Sequence, residues 1–420
     1  MTAHLDRFHA NVRTLCSLAL ARLPRMIDPA TGLFTFGVSG ERSSILRPRG
    51  TSVRYTAMTA LGLERAEAHG LGSPVDLDRL YEALNATLPG VDNLGDVGLV
   101  IWAAARRNRP LAERALRLVD EFPDHVHHRR STSVHTTELA LLTNGLIEAL
   151  AAGVGSERDV RARLDRAFRS LSNQRGPSGL LPFARPAPGR ESTPGPRERI
   201  QAELGFFDGQ IYALLAALRR YEVLDDVEAR AMARTIAEHL LASQRPLGQW
   251  AWHYNTRSGA VVDLYPVYSV HQDGMAPMAL LSAERLLGIS TVPAVARGVK
   301  WLFGRNELNE SLVNVEEARI WRSIRRRAPL RNIVYPLKLA SLAEVGGDLD
   351  LGSRFAAPHQ LEIDREMRPY HLGFCLYAFA AIAGAPHVEG EPSPDSDPRP
   401  TLKTGEHAEP GSRPRASNLV

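Results

Sequence analysis

The stretch Ser156–Asn173, SERDVRARLDRAFRSLSN, followed by Gly205–Leu224, GFFDGQIYALLAALRRYEVL, decides the fold. In the first, Val160, Leu164, Phe168 and Leu171 recur at helical spacing with Arg and Asp between them, which gives a helix with one apolar stripe. The second is apolar nearly all round, and such a helix is buried on every side. The same alternation runs along the chain. Striped segments read Leu5–Leu23, Leu77–Leu88, Leu111–Phe122, Ser156–Asn173, Val227–Ser243 and Val292–Gly304. Apolar ones read Thr51–Ala68, Asp92–Arg107, His135–Ala152, Gly205–Leu224, Asp273–Leu287 and Pro369–Gly384. Six outer and six inner helices in strict alternation predict an all-α, closed (α/α)6 toroid of six helical hairpins. Its inner helices would start around one shared cavity.

The alternation predicts one toroid domain over 1–385 of the 420 residues. The remaining 386–420 turn to Pro, Ser, Asp, Glu, Gly and Arg, which predicts a disordered polar tail with no core to bury. Connections from outer to inner helices are long and those from inner to outer are short, so function is expected on the long-loop side. Within the longest connection Leu330–Val345 reads as an extra helix, and Gly189–Arg199 reads as a mobile loop.

A net charge of only +4, with no basic stripe carrying interleaved aromatics, argues against nucleic acid. No apolar run is long enough for a secretory signal or a membrane span, which predicts a cytoplasmic protein. The two cysteines sit inside apolar helical pattern and form no disulfide framework. No cofactor or metal is expected. His125-Val-His127-His128-Arg129-Arg130 reads as a basic loop, and His371 with Cys375, four apart on one helix face, lacks a third ligand.

A weaker repeat marks the entrances to the inner helices: Thr31-Gly32-Leu33-Phe34, Gln174 to Gly179-Leu180-Leu181, and Gln244 to Gly248-Gln249-Trp250. Each places Gly, one residue, then a large apolar side chain, so that the chain reverses tightly and a plug follows. Gln244, Gly248 and Trp250 resemble the QW repeat of terpenoid cyclases and the related prenyltransferase toroids. The whole pattern equally resembles the six-hairpin glycosidases, glycan lyases and sugar epimerases. Both resemblances imply the toroid. No Asp-x-Asp-Asp acid motif of squalene-type cyclases is present, so cyclase chemistry does not follow from the fold.

The first turns of the inner helices align polar residues: Ser52, Arg54 and Tyr55; Asp92, Asn93 and Asp96; His135 and Glu138; Asp208 and Gln210; His271, Gln272 and Asp273; Arg368, Tyr370 and His371. Helix capping accounts for Ser52, Asp92 and Asp273. It does not account for Arg54, Glu138, Tyr370 or His371, which points to a polar cavity. The catalytic expectation is His271 as a proton carrier near neutrality, with Asp273, Asp208 and Glu138 as carboxylates. Arg54 would hold an acidic group. Trp250, Trp252, His253, Tyr254, Tyr265 and Tyr268 would form a stacking surface, completed by Asp96, Gln272, Tyr370 and His371. Together these predict a carbohydrate-active enzyme, a hydrolase, lyase or epimerase, acting on a small-molecule or oligosaccharide substrate that is anionic. The alternatives are a terpenoid cyclase-like or prenyltransferase-like enzyme, and a non-catalytic toroid that binds a glycan or a protein.

Overall fold

Six apolar helices pack side by side in a closed ring: Val53–Ala68, Leu94–Ala104, Thr136–Ala151, Phe207–Leu224, Ala276–Leu287 and Pro369–Ala383. Each touches the next, and the sixth touches the first. Around them run Thr2–Arg22, Leu77–Thr87, Arg109–Leu118, Glu157–Ser172, Val227–Ser243 and Val292–Leu302. The computed structural model describes residues 2–40, 47–122, 125–129, 131–187, 195–328 and 356–385. The architecture is the all-α (α/α)6 toroid. Residues Met1–Ala385 form one compact unit. The segment 386–420 and the expected helix Leu330–Val345 lie outside the described residues. Among those described, no helix is long and apolar enough to cross a membrane.

Each outer helix packs on the inner helix that precedes it, across a short turn. The first outer helix has no predecessor and packs instead on the sixth inner helix, which closes the ring. There Phe8 meets Phe379 edge-on at 6.1 Å. Two inner-helix contacts need glycine on both sides. A Cβ on Gly62 would run into the backbone of Gly373, and one on Gly145 would run into the carbonyl of Gly98. With no side chains between them, these helices approach backbone to backbone.

The entrance repeat is structural and exact in its bonding. Gly32, Gly179 and Gly248 all take left-handed φ values of 72°, 85° and 101°. Two residues on, the amides of Phe34, Leu181 and Trp250 donate to side chains of the adjoining inner helices. The acceptors are Thr56 Oγ1 at 3.0 Å, Gln210 Oε1 at 2.9 Å and Gln272 Oε1 at 3.3 Å. Leu181 therefore does the work of Trp250 one hairpin earlier.

The long connections carry short antiparallel strands that the helical pattern did not show. Thr35–Ser39 pairs with Arg47–Thr51 and Glu366–Met367, and Ser133–His135 pairs with Ala184–Pro186. His253–Asn255 lies between Leu204–Phe206 and Val261–Asp263. Ser323–Arg326 lies between Val267–Tyr268 and Leu361–Asp364. Part of the expected mobile loop Gly189–Arg199 is instead the start of a short helix, Pro196–Glu203.

Gly62→Ala should destabilise the protein by about 3 kcal/mol, because the methyl group meets backbone that cannot yield. Gly90→Ala, where nothing lies within 4 Å, should change stability by no more than about 0.5 kcal/mol. Thermal or denaturant unfolding of the pair checks this; equal stabilities would mean the ring is not glycine-limited.

Candidate active site

The first turns of the first three inner helices bring Arg54, Asp96 and Glu138 into one ion cluster. Arg54 Nε donates to Asp96 Oδ1 at 2.5 Å, and its Nη2 donates to Glu138 Oε2 at 2.5 Å and Asn93 Oδ1 at 2.8 Å. Asn93 also caps the second inner helix, accepting from the amides of Gly95 and Asp96 at 2.9 and 3.2 Å. Burial works against the Arg54 charge, yet Glu138 and Asp96 outweigh it and hold the guanidinium above its ordinary pKa. Burial raises Asp96 in turn; Arg54 pulls it back and Glu138 adds to the rise.

Asp208, on the fourth inner helix, completes the acidic side. Its Oδ2 accepts from the Thr137 hydroxyl at 3.2 Å, and its Oδ1 is buried with no partner among the described residues. Burial raises its pKa, the Gly209 amide and Thr137 oppose the rise, and Glu138 adds to it. Side chains of Arg54 and Asp96 keep 25% and 21% of their surface accessible, although burial is the largest single influence on each. That combination describes groups on the floor of a cleft.

A belt of aromatic rings lines the mouth above this floor. His127 stacks on His135 at 3.6 Å, His135 meets Phe183 at 4.5 Å and Phe183 meets Phe206 at 4.6 Å. Phe206 touches Trp252 at 6.0 Å, and Trp252 meets Tyr268 edge-on at 4.5 Å. Across the opening, Phe36 stacks on Tyr55 at 5.1 Å and Tyr55 meets Tyr370 at 4.5 Å. Trp252 keeps partial exposure, and its buried indole nitrogen has no partner among the described residues.

The rim beside Tyr268 and Phe36 is basic. Arg322 lies over the Tyr268 ring at 5.1 Å, and Arg368 lies over Phe36 at 3.9 Å and donates to the Tyr55 hydroxyl at 3.2 Å. Here four arginines (Arg49, Arg322, Arg325, Arg368) share three carboxylates, Glu362, Asp364 and Glu366. Arg322 Nε is buried without a partner among the described residues.

Several expected site residues take other positions. A single π-turn, His271–Met275, precedes the fifth inner helix, where Pro277 has no N–H to return to the preceding turn. Asp273 is thereby fully buried and accepts from His371 Nε2 at 2.7 and 2.9 Å, so it neither caps the helix nor orients His271. Burial pushes His271 down to about 3, with His371 adding to the fall, rather than leaving it near neutrality as expected. It stacks on Phe207 at 4.1 Å. Arg54 is engaged by the protein's own carboxylates and offers no free cation to a ligand. Trp250 and Gln272 belong to the plug described above. Tyr254 is buried against His239 of the fifth outer helix, and Tyr265 donates to Glu307 at 3.0 Å, away from the mouth. His253 is buried and stacks flat on Trp252 at 5.5 Å. Asn93, not Asp92, is the cap. The cleft thus gathers Arg54, Asp96, Glu138, Asp208, Trp252, Tyr268 and Tyr370 from the expected set.

Residues that sequence reasoning missed are Thr137, Phe183, Phe206, Tyr212 and Arg322. Tyr212, buried and within reach of the Asp208 charge, had a signal, since it lies one turn beyond Asp208 on the same helix face. Arg322 had none, because it reaches the mouth through strand pairing inside the longest connection. The basic loop 125–129 lies beside the second inner helix: the Leu94 amide donates to the His127 carbonyl at 3.0 Å. Among the described residues, no group of His, Cys, Asp and Glu could hold a metal.

Mostly helical, closed on itself and carrying its ionisable groups at the inner-helix mouth, the chain has the form of the six-hairpin α/α toroids. Solved structures of that form superpose over most of its length. An unsaturated glucuronyl hydrolase specific for heparin is 14% identical with a TM-score of 0.56, over 90% of this chain and 97% of that one. An unsaturated glucuronyl hydrolase from a Bacillus species, responsible for glycosaminoglycan degradation, is 12% identical with a TM-score of 0.53, over 90% and 96%. An inactive variant of an α-1,6-mannanase from Salegentibacter is 8% identical with a TM-score of 0.56, over 90% and 99%. At these identities the likeness shows the fold. No family model and no curated protein sequence matches the chain.

Asp208→Asn should stabilise the folded protein near neutral pH. A carboxyl whose folded pKa is raised contributes least once pH exceeds that pKa, because the folded state must then bury a charge. The amide avoids this cost. Thermal midpoints of the two proteins should converge towards about pH 4, the ordinary carboxyl range, and separate as pH rises. A variant less stable than the parent at neutral pH would show that the Asp208 carboxylate is a structural partner.

Proposed function

We propose that this protein is a carbohydrate-active enzyme that acts by carboxylate acid–base chemistry on an anionic glycan, most simply as a hydrolase. One observation carries the reading: Asp208 is a carboxyl whose pKa burial raises, with one oxygen unpartnered among the described residues, beside a second carboxylate, Glu138, that Arg54 neutralises. Glycosidic cleavage needs such a pair, one group to protonate the leaving oxygen and one to assist attack. Asp208 is the acid and Glu138 its partner. Trp252, Tyr55 and Tyr370 supply faces for sugar rings. The anionic group falls to Arg322, whose buried Nε has no partner among the described residues, rather than to Arg54. The glycan-degrading toroids named above support the class without assigning this chain's substrate. A non-catalytic binder would not need carboxyls shifted by burial. We place the activity in the cytoplasm, in keeping with Cys16 and Cys375 as free thiols.

Turnover should be sought on a panel of acidic and neutral oligosaccharides by reducing-end release and by ultraviolet detection of unsaturated sugars. Asp208→Asn should cut turnover by about 10²- to 10⁴-fold while the protein stays folded. Persistent turnover would remove Asp208 from the acid role.

Arg322→Leu should raise KM for acidic substrates by about ten-fold and leave neutral ones unchanged. Equal effects on both would place Arg322 in packing rather than in recognition.

A further inference from the structure

We propose that a second binding site, for the distal part of an acidic glycan chain, lies outside the mouth on the groove between the fourth outer helix and the Ser133–His135/Ala184–Pro186 ribbon. It rests on the glycan reading above. The groove encloses about 620 Å³ and includes Val134, Arg166, Arg169, Asn173, Gln174 and Arg185 in its lining. Three arginines line it and, among the described residues, no carboxylate does.

The fourth outer helix itself supplies the contrast. Two of its other arginines are ion-paired, Arg161 with Asp165 at 3.3 Å and Arg163 with Asp120 at 2.7 Å, while the exposed Arg158 has no ion pair among the described residues. Arg166 and Arg169, exposed and three residues apart on the groove face, have no ion pair among the described residues. Asp120 feels the Arg166 charge but bonds Arg163. Like charges at this spacing weaken a helix slightly, and nothing in the groove offsets them. Among the described residues Arg185 donates only to the Gln174 carbonyl, at 3.4 Å. An anion in the groove would supply the missing partner, and guanidinium forks suit carboxylate or sulfate.

The ribbon joins the groove to the mouth. Successive side chains of a strand point to opposite faces. His135 turns to the aromatic belt and stacks beside Phe183, while the directly paired Val134 and Arg185 turn to the groove. A glycan leaving the floor past His135 and Phe183 would meet Arg185, then Arg166 and Arg169, across one ribbon. Short substrates would occupy the mouth alone; longer acidic ones would span both.

The test is calorimetric titration of the full chain carrying Asp208→Asn, so that ligand is not consumed. Two size series serve as probes, heparin-derived (sulfated) and polygalacturonate-derived (carboxylated) oligosaccharides. Affinity in at least one series should step up beyond a threshold length, and the series that steps identifies the anion. Adding Arg166→Gln, Arg169→Gln and Arg185→Gln should remove the step, lowering affinity for long chains about ten-fold, leaving short ones unchanged and flattening the salt dependence. The exposed pair Arg166→Gln and Arg169→Gln alone should give a partial loss, which keeps the test valid if Arg185→Gln disturbs the ribbon. Long chains bound equally well without the arginines would overturn the inference while the mouth reading stands. So would single-stranded DNA of matched charge binding the groove as tightly. If no oligosaccharide of any length binds, the glycan reading falls and this inference falls with it.

Discussion

Arg54 neutralises two carboxylates that a closed ring forces together. The inner helices start around one axis, so whatever polar groups their first turns carry must meet there. Asp96 and Glu138 come from neighbouring helices, and without the guanidinium between them two like charges would share a desolvated floor. Removing one partner from such a buried cluster costs several kcal/mol because the others are left unpaired. The ion cluster therefore does two things at once. It ties three inner helices at their open ends, and it leaves Asp208, outside the cluster, as the carboxyl with an unanswered oxygen. Anything chemical at this mouth depends on that asymmetry.

Much of the ring was legible because it rests on period and burial. Apolar helices such as Phe207–Leu224 can only be central, and striped ones such as Glu157–Ser172 can only be peripheral. The plug repeat was legible because Gly32, Gly179 and Gly248 sit at fixed offsets from Phe34, Leu181 and Trp250. The site was legible only in part. Residue type and position place Arg54, Asp96, Glu138 and Asp208 at helix starts. They do not say which side chain faces which. Asp273 and His271 illustrate the limit: one π-turn rotates both into the core, and the proton relay expected of them becomes a buried Asp273–His371 bond. A π-turn is a local backbone choice made beside Pro277, and periodicity is blind to it. Arg322 and Phe183 were hidden for a different reason. They reach the mouth through strand pairs between distant segments, and short strands inside loops leave little pattern.

In the proposed reading, acid chemistry and anion recognition are housed in different kinds of structure. Asp96 and Glu138 stand on two inner helices whose spacing is set by backbone contact at Gly98–Gly145, so their mutual geometry has little freedom. Arg322 stands on a connection between helices, as do Trp252 and Phe183. Catalytic groups need placement to within a fraction of an ångström, which rigid elements provide best. Recognition groups tolerate more movement, and loops supply variety without disturbing a core.

The same division accounts for how a basic rim can coexist with an acidic floor. Were the two charge sets adjacent on one helix they would pair and cancel. Held on rim and floor, with aromatic rings between them, each keeps part of its field for a third party. A ligand carrying an anion at one end and a bond to be protonated at the other matches that separation; a uniformly neutral ligand would satisfy only the walls. The fold supplies the distance between the two poles, and the ligand's own chemistry must span it.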